Sequence, residues 1–137
     1  MGRKPRIEYE GAVYHVIQRG NNKKYIFEKA EDKKFILQTI SEVKDIMGTR
    51  LFGYVIMSNH YHLLLKTEGK PLNIVMHLIN SRYGRYYNGK YGCTGHVFEG
   101  RYKGILVKDD KYLLSLLRYI HQNPLVLTVP GTHLNTY

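Results

Sequence analysis

The sequence predicts an α+β fold, a four-stranded antiparallel sheet with helices packed on one face and one further helix near the C-terminus. Three observations predict it. Hydrophobic patterning alternates between period two and period 3.6 in the order β-α-β-β-α-β-α along the 137 residues. Hydrophobic residues make up 43% of the chain, enough for one buried core, so residues 1–137 read as a single domain. The two middle strands are parted by a three-residue turn, which makes them an antiparallel hairpin.

Each element has its own signal. AVYHVIQRG (12–20) alternates and is rich in β-formers, and NN follows as a turn. AEDKKFILQTISEVKDIMG (30–48) spaces Phe35, Ile36, Ile40, Val43, Ile46 and Met47 as a helix does, with Gly48 where it would stop. RLFGYVIM (50–57) and YHLLLKT (61–67) are the hairpin strands, joined through SNH. A helix starts at Pro71, a favoured first position, with an apolar stripe of Leu72, Val75, Met76, Ile79, Tyr83 and Tyr86. NGKYGCTG (88–95) reads as a glycine-rich loop. HVFEGRYKGILV (96–107) reads as an extended segment ending in the fourth strand. DDKYLLSLLRYIHQN (109–123) is the last helix, with acids at its start and Pro124 at its end. The first six elements follow the split βαβ, ferredoxin-like order.

Composition narrows the function. Lys and Arg number 21 against 11 acids, for a net charge of +10, which favours a polyanionic partner. The 13 tyrosines beside these cations suit single-stranded nucleic acid, where bases stack on rings and cations hold phosphates. No apolar run is long enough for a membrane span, and the N-terminus lacks the apolar stretch of a signal peptide. Cys93 is the only cysteine, which excludes an internal disulfide and a cysteine-based zinc site. The expected setting is cytoplasmic, close to the nucleoid, with no membrane partner.

MSNHYHLLL (57–65) carries the first chemical signal. Residues two apart on a strand share a face, so His60 and His62 project together while Tyr61 projects the other way. Two such imidazoles can chelate one metal ion, but a third ligand must come from elsewhere. Imidazole alone would favour zinc or another transition metal, whereas oxygen partners and phosphate would suit Mg²⁺ or Mn²⁺. In RYIHQNP (118–124), Tyr119 and Asn123 are four apart and share a helix face, about 6 Å apart along the axis. Each residue alone has an ordinary structural explanation; the set is what carries weight.

The set MSNHYHLLL, GHVFEGRYKG (95–104) and YLLSLLRYIHQNP (112–124), supported by RGNNKKYIF (19–27) and RYGRYYN (82–88), resembles the single-tyrosine HUH transposases. It is more similar still to their REP-associated, IS200-like branch. The pieces fall in the family's order across most of residues 7–124. The resemblance implies a ferredoxin-like sheet with the histidine pair on a central strand. It implies that His60, His62 and Asn123 hold a divalent metal, Mg²⁺ or Mn²⁺. Asn123 matches the branch that has Asn where insertion-sequence transposases have Gln. Tyr61 stands where the family usually has an apolar residue.

By the same resemblance Tyr119 attacks a DNA phosphate and forms a 5′-phosphotyrosine link, and the strand is later rejoined. His121 and Lys103 are both open as helpers that activate the phenol. The implied substrate is single-stranded DNA with a hairpin. Its expected contacts are the arm residues Arg3, Lys4 and Arg6, the loop residues Arg19, Lys23, Lys24, Arg101 and Lys103, and Arg82 and Arg85 of the second helix. The family continues into a further helical tail where this chain has only a short segment after about residue 124. Homodimer and monomer both stay open, with the homodimer slightly favoured. The alternative function is a domesticated or decayed protein that binds hairpin or single-stranded DNA without cleaving it.

Overall fold

The computed structural model describes residues 11–122. The strands are β1 (Val13–Arg19), β2 (Thr49–Ile56), β3 (His60–Thr67) and β4 (Lys103–Leu106), and the helices are α1 (Ala30–Met47), α2 (Leu72–Tyr91) and α3 (Asp110–Gln122). The sheet order is β2-β3-β1-β4 and every neighbouring pair is antiparallel. This is the predicted α+β, ferredoxin-like arrangement, with β1 and β3 at the centre.

Local chemistry sets the element ends. Glu31 and Asp32 lie in the first turn of α1, where the helix dipole favours negative charge. Gly48 ends that helix in the left-handed region (φ 67°), and its N–H donates back to the Lys44 carbonyl. The chain re-enters the sheet at the next residue. Pro71 stands just before α2 as its N-cap, one position earlier than the sequence predicts.

Alternation sorts the sheet residues into two cores. On one side Tyr14, Val16, Tyr54, Ile56, Tyr61, Leu63 and Leu65 meet Ile36, Ile40 and Val43 of α1 and the stripe of α2. Tyr61 is fully buried there, as its opposition to the histidines requires. On the other side Val55 and Leu64 meet Leu117 and Ile120 of α3.

As predicted, α1 and α2 share one face; α3, to which the sequence assigned no face, covers the opposite one. The structure departs from the predicted length of α2. The helix runs on to Tyr91, through Asn88 and Gly89 of the expected loop. Tyr87, not Tyr86, completes its buried stripe, while Tyr86 stacks on Phe35 at 3.8 Å between ring centres. A glycine late in a long helix costs only about 1 kcal/mol, which tertiary packing of Tyr83 and Tyr87 outweighs. The fourth strand occupies the end of the predicted extended segment, and 96–102 before it is irregular, with a β-bridge between Phe98 and Gly20.

Candidate functional site

The strand register builds the site from the sheet upward. His62 lies between Val55 of β2 and Ile17 of β1, and Ile17 in turn faces Lys103 of β4. His60 faces Arg19. The next row inward places Leu64 beside His15, which faces Ile105. All of these side chains share one face of the sheet. The loop before His60 is fixed from β1, where the Gly20 N–H donates to the Asn59 carbonyl at 2.8 Å. A Cβ on Gly20 would lie 2.5 Å from the Lys24 carbonyl oxygen, so only glycine fits this close turn.

The two predicted histidines are brought together, with ring centres 5.0 Å apart and planes at 74°. Each is fastened through Nδ1. His60 Nδ1 lies 2.8 Å from Asn59 Oδ1, and His62 Nδ1 lies 3.0 Å from His15 Nε2. Burial lowers the pKa of His60, with Arg19 adding to it. Burial also lowers that of His62, to about 4, helped by His15, His60 and Arg19. Both rings are therefore neutral near pH 7, the form in which imidazole has a lone pair for a cation.

These residues fit a divalent metal. With Nδ1–H of His60 donated to Asn59, its Nε2 is a bare lone pair, and the matching proton placement does the same for His62. Among the described residues, no group of three His, Cys, Asp or Glu side chains is gathered to hold a metal. The pair could supply two ligands, with others to come from outside that set.

A family profile described as "Transposase IS200 like" matches residues 8–123, which spans every strand and both histidines. The chain belongs to the IS200-like transposase family. No curated protein matches it. Among solved structures, a REP-associated tyrosine transposase bound to a REP hairpin superposes with a TM-score of 0.72 at 14% identity. That match covers 90% of this chain and 73% of the other. A protein from Deinococcus radiodurans R1, provisionally described as a transposase, gives a TM-score of 0.59 at 15% identity. There 88% of this chain and 95% of the other are covered. At such identities the likeness is one of fold.

On this IS200-like transposase fold, α3 is laid on the histidine face. Leu117 and Ile120 cover Val55, the direct cross-strand neighbour of His62. Tyr119, beside that buried stripe, is 53% exposed. His121 falls within α3, but its side chain lies outside what is described. Asn123, Arg3, Lys4 and Arg6 lie outside the described residues.

The predicted cations divide by environment. Arg19 and Lys103 are exposed and border the histidines on the strand register. Arg85 and Arg101 line a groove of roughly 1010 Å³ between α2 and the 95–102 segment, with Asn80, His77 and Phe98. Lys23 is exposed, and Lys24 sits 5.3 Å over the Tyr87 ring. Arg82 is turned toward Glu42 at 3.6 Å. No described helix is long and apolar enough to cross a membrane.

Two features escape sequence reasoning. His15 looks like any residue of an alternating strand until the register places it diagonally to His62. The Gln18–Asn80–Tyr61 hydrogen-bond chain, on the helix side of the same strands, joins residues 18, 61 and 80 that only the fold brings together.

Proposed function

We propose that the chain is a single-stranded DNA transposase in which Tyr119 cleaves and rejoins a strand beside a metal held by His60, His62 and Asn123. One observation carries this reading: the two histidines present a fastened, neutral pair on the sheet face over which the Tyr119 helix lies. The REP-associated transposase of similar fold is bound to a REP hairpin, which supports a hairpin-containing DNA substrate here.

The chain's own residues do the following. Arg19 and Lys103, both on the β1–β4 side of the histidine strand, receive the phosphate of the scissile link. The Tyr119 oxygen gives up its proton to His121, or to solvent with the Lys103 cation beside it, and attacks phosphorus. The P–O3′ bond breaks, a proton goes to the departing 3′-hydroxyl, and the 5′-phosphate stays on the tyrosine. A second 3′-hydroxyl attacking the same phosphorus reverses the step and joins strands with no other energy source. A bound Mg²⁺ or Mn²⁺ would supply Lewis-acid polarisation of a phosphate oxygen and a template for its approach.

The test is cleavage of a labelled single-stranded hairpin oligonucleotide with Mg²⁺ or Mn²⁺ against EDTA. Metal-dependent cleavage with a protein–DNA adduct supports the reading. Hairpin binding with no cleavage across varied flanking sequences supports the non-catalytic alternative.

A further inference from the structure

We infer that His15 is a positioning residue for His62: its Nε2 accepts the Nδ1–H of His62, leaving His62 Nε2 bare and turned toward the cation site. The inference rests on the metal reading above for its purpose and for the direction of the shared proton, while the contact between the two rings stands on its own.

The geometry is specific. The two nitrogens are 3.0 Å apart, the ring centres 5.2 Å apart, and the planes only 21° from parallel. His15 reaches His62 diagonally across β1 and β3, since its direct partner on β3 is Leu64. Among the described residues, the strand neighbours offer His62 no substitute. Its cross-strand neighbours are Val55 and Ile17, both apolar. His60, the other ring close by, is engaged at Nδ1 by Asn59.

His15 itself carries a cost. Its Nδ1 is buried with no hydrogen-bond partner among the described residues. Either placement of the shared proton leaves that atom unpaired, so it does not choose between them. An unpaired buried nitrogen is destabilising, and an apolar side chain between Leu64 and Ile105 would avoid the penalty. The contribution of this ring therefore lies in its other nitrogen.

Neutral imidazole has one N–H, and which nitrogen carries it is set by the partner of the other. With Nδ1–H held by His15, His62 presents Nε2 as a ligand in a fixed ring orientation. His60 has the same arrangement, with Asn59 Oδ1 in the accepting role. The two ligands are thus oriented by two different outer partners, one an amide and one a third histidine.

Two readouts test this in wild type, His15→Leu and His15→Gln, all as the full chain. Nitrogen-15 spectra of the metal-free protein should show His62 protonated at Nδ1 in wild type. His15→Leu should lose that preference, and His15→Gln, whose amide oxygen can accept at the same place, should keep it. Titration with Mn²⁺ followed by electron paramagnetic resonance should show weakening on the order of 10- to 100-fold in His15→Leu, with most of it restored in His15→Gln. His62 protonated at Nε2 in wild type would overturn the inference. So would Mn²⁺ affinity unchanged in a folded His15→Leu protein. A wild type with His62 protonated at Nδ1 that takes up no Mn²⁺ would uphold the role of His15 and overturn the metal reading alone.

Discussion

The Tyr61 hydroxyl donates to Asn80 Oδ1 at 2.7 Å, tying the strand that carries both histidines to the middle of α2. Asn80 passes the link on, its amide donating to Gln18 Oε1 at 2.9 Å on β1. Tyr61 is fully buried, so Tyr61→Phe leaves the ring packing intact but strips Asn80 of a donor. The expected cost is about 1–3 kcal/mol. Urea unfolding checks it, and an unchanged midpoint would show that water replaces the lost bond.

Among the described side chains of α3, Ile120 lies deepest in the cluster beneath the helix, at 3% exposure. Ile120→Ala should cost on the order of 2 kcal/mol, the low end for such a truncation, because α3 packs on one side only. The loss should be local. Amide exchange in α3 should quicken by roughly 30-fold while β1 and β3 keep their protection. Equal acceleration throughout would mean that α3 and the sheet open as one unit.

Much of this was legible in the sequence, for physical reasons. Strand alternation is rigid, so Tyr61 had to oppose His60 and His62, and it does. The side on which α3 packs was not legible, because its apolar stripe of Leu113, Leu116, Leu117 and Ile120 suits either face of a sheet. His15 was missed because its meaning depends on a register 47 residues away. The end of α2 was misplaced because Gly89 reads as a loop residue locally, whereas Tyr83, Tyr87 and Tyr91 continue the packing that keeps the helix going.

Asp32 gives the fold an acid-sensitive clasp. Its carboxylate accepts from Tyr86 at 2.7 Å, from Lys90 at 2.8 Å and from Tyr91, joining the first turn of α1 to the last turn of α2. Burial works to raise its pKa, but the hydrogen bonds from Lys90, Tyr91 and Tyr86 outweigh it and hold the pKa below 3.8. A folded pKa below the unfolded one means stability that is fully present above pH 3.8 and lost as the pH falls through the folded value. Urea midpoints taken from about pH 5 to about pH 2 should therefore fall less steeply in Asp32→Asn than in wild type. Parallel curves would remove Asp32 from the acid response.

Binding of hairpin DNA should separate the cations. Each phosphate contact contributes roughly 0.7–0.9 to the slope of log affinity against log salt. Arg19→Ala and Lys103→Ala should each lower that slope by about 1. Arg82→Ala should leave it nearly unchanged, since Arg82 already faces Glu42. An equal loss at all three positions would mean that Arg82 leaves Glu42 for the DNA.

In the proposed reaction Tyr119, exposed on the helix over the histidine face, becomes covalently joined to DNA. The most direct measurement is a denaturing protein gel of the chain incubated with end-labelled single-stranded hairpin DNA and Mg²⁺ or Mn²⁺, beside EDTA and Tyr119→Phe. A labelled protein band is expected in the metal lanes, abolished both by EDTA and by Tyr119→Phe, with hairpin binding retained in the variant. A band that persists in Tyr119→Phe would contradict that reaction.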